Sequence, residues 1–165
     1  MDIKYKLISL LIAASLILSA CSADVKADQK TNSELKKDNA LSKYSSEEIE
    51  YARVWLQLGP NQEIDELNVW HISAGEPLNP DDETSAVYPE NVIQLAGSRL
   101  IDGSVTYSSN GNGTINIYNV PLRWDGKYPA GKSFYEDFIK NKKVVSINLG
   151  DDEKVIRLIK LLHIH

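Results

Sequence analysis

The hydrophobic pattern changes character several times along the chain. Leu7 to Leu18 is almost wholly apolar and follows Lys4 and Lys6. Ser22 to Lys43 mixes Lys with Asp and Glu and has no aromatic residue. From Tyr44 onward, ordered periodicities begin. Ile49, Ala52, Trp55 and Leu56 recur at helical spacing, with Leu58 near the end. Ser45 and Glu48 form an S-x-x-E capping box, Tyr44 and Ile49 stand at the staple positions, and Gly59-Pro60 closes the helix. Strands are predicted at Leu67 to Ile72 and Val92 to Ala96, separated by a long acidic loop from Gly75 to Tyr88. Ser104 to Ser108 and Thr114 to Val120 predict a hairpin around Asn110-Gly111-Asn112-Gly113. In its second strand Ile115 and Ile117 share one side, and Asn116, Tyr118 and Val120 the other. Ser133 and Glu136 make a second capping box, which predicts a helix opening at Ser133 and running to about Asn141. A last strand is expected at Val144 to Leu149. A final helix, capped by Asp151 or Asp152, is expected to reach about Leu162. This order of elements predicts an α+β fold, with about three helices on a mainly antiparallel sheet.

The apolar run at the start has the form of a signal peptide: basic residues, an apolar segment, then small residues before a cut. It is too short to span a bilayer comfortably, which takes roughly 20 residues. It ends in Leu18-Ser19-Ala20-Cys21, and Cys21 is the only cysteine. This tetrapeptide resembles the lipobox of bacterial lipoproteins. The resemblance implies a diacylglycerol on the Cys21 thiol and cleavage just before it. A lone thiol in an exported chain has no disulfide partner, and lipidation accounts for it. Two acyl chains anchor stably where one exchanges. The expected organisation is a leader at 1–20, a lipidated Cys21 and flexible tether over 21–43, and one domain over 44–165. A coil of that length reaches about 25 Å on average.

Charge narrows the partners. The chain carries 18 Lys+Arg against 23 Asp+Glu, and the leader holds two lysines and one aspartate, which leaves 16 against 22. This acidity argues against nucleic acid, whose phosphates call for Lys and Arg. The asymmetry is internal too. Glu47 to Ser104 holds two basic residues against twelve acidic ones, whereas Val105 to His165 holds nine against six.

Few motifs carry chemistry. Gly126 to Ser133 satisfies GxxxxGK[ST] letter for letter. It does not leave a buried strand, since Pro121, Arg123 and Asp125 precede it, so a turn with Ser133 as helix cap is expected. No cofactor is expected. His163 and His165 at the end read as frayed terminal residues, without a third ligand near in sequence. Glu76, Asp81, Asp82, Glu83 and Glu90 offer oxygen ligands for Ca²⁺, but not at EF-hand spacing, so a solvated loop is expected. Long loops in compact domains are often functional, which makes Asp81, Asp82 and Glu83 binding candidates. Among the three tryptophans, Trp55 fits a helix core face and Trp70 a half-buried strand. Trp124, in a loop between Arg123 and Asp125, is the exposed candidate for stacking on a sugar. Nucleophile-elbow and zinc-protease motifs are missing.

Glu48 to Trp55 and Val105 to Tyr118 resemble segments of small uncharacterised lipoproteins of Gram-positive bacteria. That resemblance implies a lipid anchor in the cell membrane with the domain facing outside, and it brings no activity. The expected function is an extracellular binding or accessory module whose partner is an envelope ligand or protein. The alternatives are a cell-envelope hydrolase and an exclusion or immunity lipoprotein.

Overall fold

The computed structural model describes residues 40–165. The predicted leader, Cys21 and the tether up to residue 39 lie outside the described residues. Leu41, within the stretch read as tether, is buried in the main core.

Helix α1 (Ser46–Leu58) begins as its capping box dictates. Ser45 Oγ accepts from the Glu48 amide at 3.1 Å, and Glu48 Oε2 accepts from the Ser45 amide at 2.8 Å. After it come β1 (Leu67–Ile72), β2 (Val92–Gly97), a 3₁₀ turn at Leu100–Asp102, β3 (Ser104–Ser109) and β4 (Thr114–Tyr118). Then follow α2 (Lys132–Lys140), β5 (Lys143–Ser146), α3 (Asp152–Ile159) and β6 (Leu162–Ile164). The strands form one sheet in the order β5-β4-β3-β2-β1-β6, antiparallel throughout except for the parallel pair β1–β6. The architecture is the expected α+β domain. Among the described residues, no helix is long and apolar enough to cross a membrane.

Period-2 alternation gives the sheet two different faces. On the first, α1 and α3 pack. Tyr51, Val54 and Trp55 of α1 and Val155, Leu158 and Ile159 of α3 bury themselves on Val69, Leu95, Val105, Tyr107 and Ile115. Trp55 is fully buried, and its indole N–H donates to the Asn61 carbonyl at 3.0 Å. On the second face, Val92, Tyr118 and Val120 pack under the β1–β2 loop and α2. Ile115 and Tyr118, neighbours on β4 with opposite facing, thus feed separate cores, as the hairpin pattern predicted.

Two terminal expectations are corrected. The final helix stops at Ile159, and Leu162 to Ile164 turns into β6 beside β1. Pairing gives the backbone partners that a fraying helix end lacks. The Leu67 amide donates to Leu161 at 2.8 Å, and the His165 amide donates to Val69 at 3.0 Å. His163 is therefore a strand residue, and His165, just past the strand, is still tied to β1 and not frayed. The His165 ring stacks on Trp70 at 5.0 Å, and its Nε2 lies 2.9 Å from Asn68 Oδ1. The predicted strand at Val144 to Leu149 is also shorter, ending at Ser146. Past it, the Gln57 side chain takes over, donating to the Ser146 carbonyl and accepting from the Asn148 amide.

Candidate binding cleft

The β1–β2 connection is long and acidic, yet it folds into a compact finger. A bridge between Pro77 and Val87 closes its base, and Leu78 donates to Ala86 at 2.9 Å. At its tip Asn79 Oδ1 accepts from the Asp81 amide, and Asp82 Oδ1 accepts from both the amide and the hydroxyl of Thr84. These Asx contacts are local and follow from residue types that favour turns.

The other oxygen of Asp82 reaches a different part of the chain. Asp82 Oδ2 accepts from the Ala130 amide at 2.8 Å and from the Tyr135 hydroxyl at 2.7 Å. Thr84 Oγ1 accepts from the Gly131 amide at 3.0 Å, and Asn79 donates to the Tyr135 hydroxyl at 3.0 Å. Trp124 donates its indole N–H to the Leu78 carbonyl at 3.1 Å. The finger and the β4–α2 loop are thereby latched together. Burial pushes the Asp82 pKa up, but hydrogen bonds from Ala130, Thr84 and Tyr135 outweigh that and hold the carboxyl at about 2.

This latch corrects two expectations. Asp82 is buried, not part of a solvated loop. Ser133 is not the cap of α2 either: the cap position is Gly131, with φ of +88°, and it has no side-chain cap bond. Only a glycine takes that backbone conformation cheaply. The amides of Ala130 and Gly131, which the GxxxxGK[ST] pattern would turn toward a phosphate, are occupied by Asp82 and Thr84. The anion at this turn belongs to the protein itself.

Above the second face, the latched loops enclose a cleft of about 820 Å³. Gln94 and Ile72 of the sheet form its floor, Glu76 and Asp81 of the finger one wall, and Arg123 and Trp124 the other. Arg123 and Trp124 are shared with a second cavity of about 570 Å³, lined by Tyr118, Val120, Tyr128, Phe134 and Phe138. Trp124 packs edge-on with Phe134, Tyr135 and Phe138 at centroid distances of 6.4, 5.3 and 5.5 Å. A third cavity, of about 520 Å³, adjoins the first through His71, Ile72 and Ser73 and continues to Glu50 and Tyr51. There the Tyr51 hydroxyl sits 3.0 Å from His71 Nε2, and burial pushes the Tyr51 pKa up to about 12.

The residues proposed from sequence separate on this geometry. Trp124 and Asp81 come together on the walls of one cleft, Asp82 lies beneath as the latch, and Glu83 is exposed away from the lining. Glu90 stands elsewhere, accepting from the Tyr118 hydroxyl and from Lys142 at 2.8 Å. Among the described residues no three His, Cys, Asp or Glu side chains gather to hold a metal ion. Sequence reasoning missed Gln94 and the aromatic face of α2. The signals were present: a single polar residue inside Val92 to Ala96, and Phe134, Tyr135 and Phe138 within one and a half turns.

The YdeJ family model matches residues 45–162, a span that runs from the α1 cap into β6 and includes every wall of the cleft. The chain belongs to the YdeJ family. It is 66% identical over 134 residues to the uncharacterized lipoprotein YdeJ of Bacillus subtilis (strain 168), covering 79% of this chain and 61% of that relative. The chain thus spans about three fifths of the relative's length. No solved structure matches. Membership agrees with the lipobox and with the resemblance to Gram-positive lipoproteins: the protein is a lipoprotein, held at a membrane through its lipid.

Proposed function

We propose that this lipoprotein is an extracellular binding or accessory module. Acyl chains on Cys21 hold it in the outer leaflet of the cell membrane, and the tether carries the domain away from the lipid. Its ligand occupies the cleft between Asp81 and Trp124. The observation that carries this reading is the latched pair of loops over the second sheet face. A buried carboxylate that accepts four hydrogen bonds from three residues fixes two walls around an open cavity of about 820 Å³, within the size range of ligand sites. The acidic finger and the exposed Arg123 give that cavity both signs of charge. The same carboxylate is fully engaged in holding the walls, which favours a binding role over acid–base turnover.

A photo-crosslinking amino acid at position 123, in the full-length lipidated protein on intact cells, tests the reading. Capture of an envelope component that is lost when Gln94 is also replaced by Ala supports it. Capture of nothing overturns it. The anchor is tested separately: Cys21→Ala is expected to release the protein from membranes and abolish cleavage at the 20–21 bond. Continued sedimentation with membranes, with unchanged cleavage, would sink the lipid assignment.

A further inference from the structure

We infer that the cleft takes a linear oligosaccharide bearing small apolar N-acyl groups. This rests on the reading of the cleft as a binding site and names its ligand class.

The lining disfavours the other common ligand types. A phosphorylated ligand would seek the free amides ahead of α2, but Ala130 and Gly131 already donate to Asp82 and Thr84. Asp81 and Glu76 on the wall would also repel a polyanion. An extended peptide gains its affinity from backbone bonds to a free sheet edge. The floor of this cleft is the face of β1 and β2: β2 is paired on both sides, and β1, which β6 pairs only over Leu67–Val69, leaves just the short stretch Trp70–Ile72 open at its edge, which offers a peptide few backbone bonds. An acyl chain would desolvate the carboxylates of Glu76 and Asp81 in the first cavity without pairing them.

A sugar uses what is present. Its hydroxyls pair with planar groups that have two hydrogen-bonding positions, and Asp81, Glu76, Gln94 and Arg123 supply carboxylates, an amide and a guanidinium around one space. Its CH-rich face packs on aromatic surface, supplied by Trp124. The two compartments on either side of Arg123 and Trp124 differ in character. The second is walled by Tyr118, Val120 and Phe138 and suits a methyl-bearing substituent. The Tyr128 hydroxyl in that wall is buried with no hydrogen-bond partner, and an acyl carbonyl would supply one. The third cavity, adjoining at His71 to Ser73, lengthens the groove beyond one compact ligand, which is why an oligomer fits better than a monosaccharide.

The test uses detergent-solubilised full-length protein and two tetramers as probes, chitotetraose with an N-acetyl group on each ring and cellotetraose with none. Chitotetraose is expected to bind saturably by calorimetry, at least tenfold more tightly than cellotetraose. Trp124→Ala and Gln94→Ala should each weaken it tenfold or more, and Phe138→Ala should narrow the difference between the tetramers. Arg123→Ala, at an exposed side chain, serves where Trp124→Ala fails to fold, and it should weaken binding likewise. Absence of saturable chitotetraose binding up to ~10 mM, or equal binding of both tetramers, overturns the proposal. Crosslinking from position 123 separates the two levels of failure. Capture of a protein or peptide that chitotetraose does not displace removes the saccharide and leaves the binding module. No capture and no sugar binding removes both.

Discussion

The two faces of the sheet are built from different materials. Under α1 and α3 the packing is mostly aliphatic, around one buried tryptophan, and the secondary structure itself satisfies the backbone. Under the finger and α2 the packing is aromatic, and a buried carboxylate satisfies backbone amides that no helix or strand would. Of the three cavities, the first construction leaves only the one at its rim, between Glu50 and Tyr51 of α1 and His71 and Ile93 of the sheet. The second leaves two beside Trp124, because loops held by side-chain hydrogen bonds do not close down on a sheet as helices do. On the proposed binding role, stability and recognition fall to opposite sides of the same six strands.

Breaking the first face should cost most. Trp55→Ala removes a fully buried indole from the contact between α1 and the sheet. The expected loss is about 3–5 kcal/mol of unfolding free energy, read from the urea midpoint. A loss under about 1 kcal/mol would mean that the helical face is not the stabilising one. Asp82→Ala should act differently. It frees the Ala130 amide and the Tyr135 hydroxyl, so hydrogen exchange should quicken at Ala130, Gly131 and Thr84 while Leu95 and Tyr107 keep their protection. Uniform loss of protection would show that the latch and the main core are one cooperative unit.

Acid adds a second comparison, because one strongly depressed carboxyl belongs to the second face and another lies away from it. Asp82 belongs to the second face. Asp102 belongs to the 3₁₀ turn, where the Arg99 side chain at 2.7 Å, together with Asn61 and the Arg99 amide, outweighs burial and holds it at about 2. Both lie below the unfolded value of about 3.9, so the folded state binds fewer protons than the unfolded chain in the interval between. Their contribution is complete above about pH 4 and falls away as pH drops through 2. Asp82→Asn and Asp102→Asn should each flatten part of that decline in the urea midpoint, and the double variant should flatten more. An unchanged acid slope in both single variants would contradict the assignment.

The sequence revealed the first face far better than the second. The capping box at Ser45 and Glu48, the 3.6-residue spacing after it and the alternation in β4 are local rules, and the structure obeys them. The misread parts were decided by distant residues. Ser133 had every local credential of a cap, but Asp82 and Thr84, about fifty positions earlier, set the backbone so that Gly131 took the role. The end of the chain had no local reason to be a strand until β1 offered it an edge. Asp82 looked like one acid in a solvated run, and nothing local distinguishes it from Asp81 or Glu83. Trp124 and Asp81 were both singled out, yet only the folded loops bring them to one cleft.

The smallest stability change tests the division most directly. Arg123 pairs with Asp125 at 2.8 Å, with both side chains about two thirds exposed (68% and 70%). Exposed pairs of this kind contribute about 0–1 kcal/mol, so Arg123→Ala should barely move the urea midpoint. If recognition resides on the second face, the same substitution should still cut ligand capture on cells severalfold, because it strips one wall shared by two cavities while leaving Trp124 packed on Phe134 and Phe138. Stability and binding would then respond in opposite order across the series, with Trp55 ruling the first and Arg123 the second. Should Arg123→Ala prove silent in both, the cleft would be a by-product of loops that pack less closely than helices, and the functional surface would have to be sought elsewhere on the domain.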